Sequence, residues 1–483
     1  MKKFNIILAT DLNSGISINN QLPWRFMKDL NFFNTITKSS SIFPEITETE
    51  NILIMGRKTF ESLKCKKLKN RKMFVITSNW EKLKIDYPNI DFFSSFHDAY
   101  INSINYNNSD IWVIGGSQIY NIALRHWACD KIYWTQIKGK FTTDVFIDMT
   151  NYLIDWTHTQ ITTDIDQYTN QTYELEFKLG KKIQNVETQY LSLLYNVINN
   201  GDKRQTRNAI TFSKFNNTLK CNLSHGFPLL TTKKMFWKGI VEELLFFIRG
   251  NTDTTELSKK GIKIWELNTS KNFLDSVGLN YKTGSMGPMY GYQWRHWNKP
   301  YQQNVTNQQG IDQLVNVTNH QQNNIDQLVN VINEIKNDPH SRRILMTDFN
   351  PSQVSEGVLY PCHSIIIQFY VESNKLSCTM YQRSGDLFLG IPFNIASTSL
   401  LLHIISKLTN LEPYMMNLVL GDYHIYDTHL DAVMEQLNRT PKDFPQIIIP
   451  DFTSIEQVEK SEFSDYKLIN YHHDPTISAQ MIA

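Results

Sequence analysis

Residues 360–394 read Tyr360-Pro361-Cys362-His363, Ser364 to Val371, Glu372 to Lys375, Leu376 to Asp386 and Gly390-Ile391-Pro392-Phe393-Asn394. Ile365-Ile366-Ile367-Gln368-Phe369-Tyr370-Val371 is β-branched and aromatic, which predicts a strand. Glu372-Ser373-Asn374-Lys375 is polar turn material, and Leu376 to Arg383 reads as the returning strand. A chain that folds back near Asn374 carries Cys362 to the neighbourhood of Arg383–Asp386. A guanidinium beside a thiol favours the thiolate, the form that attacks carbon. Two readings stand on chemistry alone: a nucleophile, or a buried structural cysteine.

Working outward, 483 residues exceed one ordinary core, so two or three domains are expected. With 41% apolar and 12% aromatic residues the chain can build sizeable cores. A net charge of +1 offers no electrostatic case for nucleic acid or an acidic membrane as the main partner. Cysteines 65, 129, 221, 362 and 378 are odd in number and form no CxxC pair, so neither a disulfide framework nor a metal site is suggested. Phe4 to Ala9 is broken by Asn5 and followed by Asp11, which favours a first strand over a signal peptide. No stretch approaches transmembrane length, and a cytoplasmic, reducing location is expected.

In the first 179 residues apolar runs alternate with helix-like segments: Phe4–Ala9, Ile52–Met55, Met73–Thr77, Ile111–Ile114 and Lys131–Ile137. That pattern argues for an α/β layer with a central sheet. Asp29 and Phe33 are four apart and share a mostly apolar helix face. Taken alone, Asp29 is more simply a solvated or helix-start aspartate. Met55-Gly56-Arg57-Lys58-Thr59 and Ile114-Gly115-Gly116-Ser117 each end a strand, turn on glycine and open a helix, where backbone N–H groups can receive phosphate. Neither is a GxGxxG fingerprint, and each could be only a tight turn.

Taken in order, Pro23-Trp24, Asp29, Phe33, Met55 to Thr59, Asn70-Arg71-Lys72, Ser78, Ile114 to Gly116 and Thr135 resemble dihydrofolate reductase. The resemblance implies an α/β fold with a central mixed sheet. It implies that Asp29, steadied by Thr135, is the acid beside the pterin, that Ala9, Phe33, Leu63 and Leu68 pack the folate, and that Arg71 pairs with its α-carboxylate. NADPH would be held by Ala9, Ile16, Gly56, Arg57, Lys58, Thr59, Thr77 and Ser78, and by Ile114, Gly115, Gly116, Ser117, Gln118, Ile119 and Tyr120. Arg57, Lys58 and Ser78 stand where the family grips a 2′-phosphate, which favours NADPH over NADH. Thr37 to Glu50 reads as a surface insertion.

Gly180 to Val186 reads as a short junction, and helical periodicity begins at Glu187. From about Val186 to Ala483 the chain resembles thymidylate synthase, through Phe227 to Lys234, Pro361-Cys362-His363, Tyr381 to Gly390, Pro392 to Ser397 and Gly421 to Tyr426. The expected fold is thus an α/β reductase domain, 1–179, then an α+β synthase-like domain, 187–483. The two together resemble the bifunctional enzymes that join these activities.

The second resemblance implies a Cys362 thiolate adding to dUMP, which then takes a methylene group from 5,10-methylenetetrahydrofolate and leaves as dTMP. Dihydrofolate, the other product, would be recycled by the first domain. Glu243, which shares a helix face with Ile240, Leu244 and Phe247, would order a proton-relay water. Tyr290, His363, Arg383 and Asn394 complete the catalytic set. Arg207, Arg342, Arg343, Gln382, Arg383, Ser384, Asp386, Asn394, His424 and Tyr426 would bind dUMP, and Trp265, Asp386 and Gly390 the folate. Arg342 and Arg343 would reach the neighbouring subunit's phosphate, so a homodimer through the second domain is implied. Asn208-Ala209, Ser285 and Phe349 depart from the family's Thr-Gly, aspartate and tryptophan. Ile311 to Val317 nearly repeats as Ile325 to Val331, and the first copy, within 301–324, reads as an inserted loop.

Three other classes are open. Deoxycytidylate hydroxymethylase is disfavoured by Asn394, whose amide suits uracil N3–H and O4. A folate-binding protein without catalysis is disfavoured by Asp29, Glu243, Cys362 and Arg383 together. Nucleic-acid binding finds no support in the charge.

Overall fold

The computed structural model describes residues 2–38, 50–64, 67–206, 209–301 and 324–482. Most of the 37–50 insertion and the 302–323 loop lie outside the described residues, as do Cys65 and Arg207. The chain forms two compact units, Met1–Gln184 and Asn185–Ala483.

The first unit is built on an eight-stranded sheet. Its strands are β1 (Phe4–Thr10), β3 (Asn51–Gly56), β4 (Arg71–Ile76), β5 (Asp91–Phe93), β6 (Ile111–Gly115), β7 (Cys129–Ile137), β9 (Ile154–Ile165) and β10 (Thr172–Lys182). The short strands β2 (Gly15–Ser17) and β8 (Val145–Phe146) pair separately. Sheet order is β5-β4-β3-β6-β1-β7-β10-β9. The strands from β5 to β7 are mutually parallel, while β10 is antiparallel to both β7 and β9. The five expected strands are all present, and their apolar runs follow from burial on both faces: β3 buries Ile52, Leu53, Ile54 and Met55 completely. Strand β9 carried no such signal, because as the sheet's edge it is nearly all exposed and polar. Strand β10 also continues through Gly180–Lys182 and pairs Gly180 with Trp156.

In the second unit six strands run β11-β12-β16-β15-β14-β13. They are β11 (Asp202–Gln205), β12 (Ile210–Asn222), β13 (Leu345–Met346), β14 (Ile366–Glu372), β15 (Lys375–Asp386) and β16 (Glu412–Tyr426). The hairpin turns at Ser373 and Asn374, both at positive φ (48° and 64°). Paired positive φ values match the twist of the flanking strands. Residues therefore pair from Glu372 with Lys375 to Ile366 with Tyr381. Strand β14 buries Ile367, Phe369 and Val371, while Ile366 and Tyr370 stay exposed.

Helix Gly390–Thr409 returns the chain from β15 to its parallel neighbour β16. It meets the length and apolarity of a membrane span, contrary to the expectation that no stretch would, but 72% of that apolar window is buried inside the protein. Its apolar composition is that of a core helix packed on all sides.

Candidate active sites

Sheet β1–β3–β6 ends at a cavity of about 520 Å³, lined by every expected cofactor residue except Gly115. Gly115 sits behind the wall: its φ is +109°, and a Cβ there would meet the Tyr120 ring at 2.7 Å. The Gly115–Gly116 peptide is cis. Gly116 then caps helix Ser117–Arg125, turning free N–H groups toward the cavity as a cradle for an anion. Arg57 and Lys58 open helix Arg57–Ser62, and Arg57 is held by Glu61 at 2.5 Å. These features fit a phosphorylated dinucleotide. Ser17, Asn20, Leu22 and Ser94 also line the cavity. They were missed because only the fold brings these loops to it.

Asp29 stands in the first turn of helix Met27–Thr37. Burial pushes its carboxyl up to about 6, opposed by a hydrogen bond from Thr135. Thr135 lies on β7 opposite Ala9 and Phe177, so register aims it at the acid. Arg71 is 3% exposed and is bonded only by neutral groups among the described residues: Lys69 O (3.2 Å), Asn34 Oδ1 (3.2 and 3.3 Å) and Thr37 Oγ1 (2.9 Å). A buried guanidinium with no anion is costly, and an incoming carboxylate would satisfy it. Phe33 lies beneath it, 5.8 Å from ring centre to guanidinium carbon. Phe33, Leu63 and Leu68 pack on the same core cluster.

In the second unit the hairpin does what its sequence predicts: the Arg383 amide donates to Cys362 O at 2.8 Å. Cys362 is part-exposed, and its sulfur lies 3.5 Å from the Tyr290 hydroxyl. The Arg383 guanidinium, however, is tied to Pro361 O (3.1 Å) and Tyr360 O (3.3 Å) and lies over the Tyr360 ring. Its charge lowers the thiol pKa, but burial outweighs it, and the thiol ends above its ordinary range. The expected guanidinium-stabilised thiolate is therefore not the form this pocket favours by itself.

His363 stacks on Tyr290 with ring centres 4.4 Å apart and planes 12° apart, which fixes the hydroxyl beside the sulfur. Glu243 accepts from Trp265 Nε1 at 2.9 Å, and burial pushes its carboxyl up to about 7. Asn394 Nδ2 donates to Gln382 Oε1 at 3.0 Å, fixing which amide edge it presents. Asp386 caps the next turn by accepting from the Phe388 and Leu389 amides, which holds Gly390 at the helix start. Register places Ser384 opposite Asp422 and Asp386 opposite His424, and Tyr426 feels the charges of both Asp386 and Cys362. Arg342 and Arg343 are exposed and have no side-chain partner among the described residues.

The thymidylate synthase family model matches residues 188–483, and the dihydrofolate reductase family model matches residues 3–181. A bifunctional dihydrofolate reductase-thymidylate synthase from Paramecium tetraurelia is 35% identical over 490 residues, covering 99% of each chain. Its namesake from Zea mays is 34% identical, covering 99% of this chain and 97% of that one. The chain belongs to the bifunctional dihydrofolate reductase–thymidylate synthases.

It is accordingly an enzyme of two activities, dihydrofolate reduction and dTMP synthesis. Within this bifunctional synthase, Lys233 escaped the sequence reading although it belongs to the conspicuous Phe227–Lys234 run. It is 5% exposed, donates to Phe388 O at 2.6 Å, and burial lowers its pKa to about 7. Nothing in a Lys-Lys pair tells which ammonium is buried.

Proposed function

We propose that residues 1–179 reduce dihydrofolate with NADPH and that residues 187–483, after the junction 180–186, methylate dUMP from 5,10-methylenetetrahydrofolate. The observation that carries the synthase assignment is the Cys362–Tyr290 contact, at a cysteine whose carbonyl accepts from the Arg383 amide of the hairpin.

NADPH, when bound, supplies hydride. The residues lining the cavity would hold it, with Gly116 and Ser117 at the helix start taking the pyrophosphate and Arg57, Lys58 and Ser78 the 2′-phosphate, while Gly115 shapes the turn behind them. Asp29 keeps its proton up to about pH 6 because burial disfavours its charge, so it can hold a proton beside the pterin nitrogen. Arg71 receives the glutamate carboxylate, which supplies the anion its neutral surroundings lack.

At the synthase site Cys362 attacks carbon 6 of the uracil, and carbon 5 becomes the nucleophile toward the methylene group. Asn394, oriented by Gln382, pairs with N3–H and O4, which supports dUMP over dCMP. Glu243 holds a proton near neutrality for the water beside the ring. Arg383 with Ser384 takes the phosphate, and His424 with Tyr426 the deoxyribose hydroxyl. Arg207 belongs to the same cage. Trp265, Asp386 and Gly390 face the folate.

A homodimer through the second unit is supported by the unpartnered Arg342 and Arg343 and by apolar residues on the open sheet face, where Ile366 is 44% and Tyr370 63% exposed. The described cysteines are all free thiols, in keeping with a cytoplasmic site.

The test is one cuvette with dUMP, methylenetetrahydrofolate and NADPH. dTMP formation and NADPH oxidation are expected to proceed one for one. With Cys362→Ala both stop, and NADPH oxidation resumes on adding dihydrofolate. Continued dTMP formation in that variant overturns the assignment.

A further inference from the structure

Asp29 lies in the first turn of helix Met27–Thr37, and Phe26, at the capping position before it, has no side-chain oxygen to offer that turn. The first N–H groups of a helix have no partner inside it and need acceptors from outside. Strand β9 and the turn after it supply them. The amide of Lys28, the residue next to Asp29, donates to Asp164 Oδ2 at 2.7 Å. The Lys28 ammonium donates to Thr162 Oγ1 (2.7 Å) and Thr163 O (2.8 Å). Just ahead of the helix, the Arg25 amide donates to Asp166 Oδ1 at 2.7 Å, and its carbonyl accepts from the Gln167 amide at 3.1 Å. The helix start is thus fastened on both sides of its first residue.

The fastening is stiff at its other end. Asp164 pairs in register with Tyr173 of β10, and its Oδ1 accepts from the Ile165 amide at 2.9 Å. Asp166 is fully buried, and its Oδ2 accepts from the amide (3.1 Å) and the hydroxyl (2.8 Å) of Thr169. Asp29 is faced by Thr135 from β7, by Asp164 from β9 and by Tyr120 from helix Ser117–Arg125. Burial holds the Tyr120 hydroxyl protonated, so of these three Asp164 is the anion. Burial raises the Asp29 carboxyl, the Thr135 bond lowers it, and the Asp164 charge raises it again, as a like charge must.

We propose that Asp164 is a positioning residue of the reductase site: from β9 it caps the helix that carries Asp29 and sets a fixed negative charge against that acid. The cap holds the Asp29 carboxyl in one place, which is what proton delivery to a bound ring requires. The charge favours the protonated form that makes the delivery. A neutral capping side chain would do the first without the second. This gives the polar edge strand a part in the chemistry, and it rests on Asp29 being the acid, as proposed above.

The test is the single-turnover rate of NADPH oxidation at saturating dihydrofolate, followed against pH in the full-length chain. Asp164→Asn keeps an oxygen for the Lys28 amide and removes the charge. Its acid plateau is expected to hold, and the decline that follows Asp29 to move to lower pH. Asp164→Ala removes the cap as well, and its plateau is expected to fall about tenfold, with the decline displaced in the same direction. A merely structural Asp164 would lower the melting temperature of both variants and leave the decline where it is. A decline that stays in place in Asp164→Asn, or an Asp164→Ala plateau equal to the native one, overturns the proposal. Asp164→Asn decides alone should Asp164→Ala fail to fold. Retention of the native plateau by Asp29→Asn is a different result, and overturns the assignment of the acid instead.

Discussion

The indole N–H of Trp265 donates to Glu243 Oε1 at 2.9 Å, and this hydrogen bond opposes the burial that holds the carboxyl near 7. Trp265→Phe removes the donor to the charged form, so the Glu243 pKa rises further. The limb of the kcat–pH profile for dTMP that follows Glu243 is expected to move to higher pH. An unmoved limb would separate Glu243 from the proton relay. Linkage gives an independent check. A carboxyl whose folded pKa is raised contributes stability present below its unfolded pKa and lost as pH rises through about 7. Glu243→Gln should therefore melt with the native chain in acid and above it in mild alkali.

Thr135 does for Asp29 what Trp265 does for Glu243. The reductase rate is expected to decline as pH rises through about 6, where Asp29 loses its proton. Thr135→Val removes the bond that steadies the carboxylate and should shift this decline to higher pH. Asp29→Asn should lower the rate by about 10²–10⁴-fold. Steady-state rates at saturating NADPH across the range settle both.

Arg71 has neutral partners only among the described residues, so its removal leaves no buried anion behind. Arg71→Leu should raise KM for dihydrofolate by about 10²-fold, about 2.7 kcal/mol, while KM for NADPH and the melting temperature hold. A variant that instead loses stability and keeps its KM would make Arg71 a structural cation.

Arg342 and Arg343 provide a test of the dimer. Either Cys362→Ala or the double variant Arg342→Ala/Arg343→Ala should be inactive in dTMP formation when pure. Mixed and re-equilibrated, they should regain activity, because the hybrid has one site with a sulfur from one chain and arginines from the other. No recovery, with hybrids demonstrated by mass, would place the arginines in their own chain's site or outside both.

Much of this protein is legible from its residues. The β-branched runs of β1, β3, β4, β6 and β7 and the Ser373-Asn374 turn announce themselves, because a buried parallel strand and a tight hairpin each demand residue types that few other structures use. The segments carrying Asp29, Glu243 and Cys362 could likewise be named in advance. The fold's edges were less readable: β9 is as polar as a loop, since a strand with one neighbour and two wet faces needs no apolar code.

Tertiary structure alone decided the state of the site groups. That Arg383 spends its donors on the carbonyls of Pro361 and Tyr360 cannot be read from a Cys-to-Arg spacing, and it leaves the thiol raised by burial. Which of Lys233 and Lys234 is buried, and that Asp348 is buried with no hydrogen-bond partner among the described residues, are also products of the fold. Residue type sets which proton a side chain can carry. Whether it carries it depends on desolvation and on partners distant in sequence, and those exist only once the chain has closed around them.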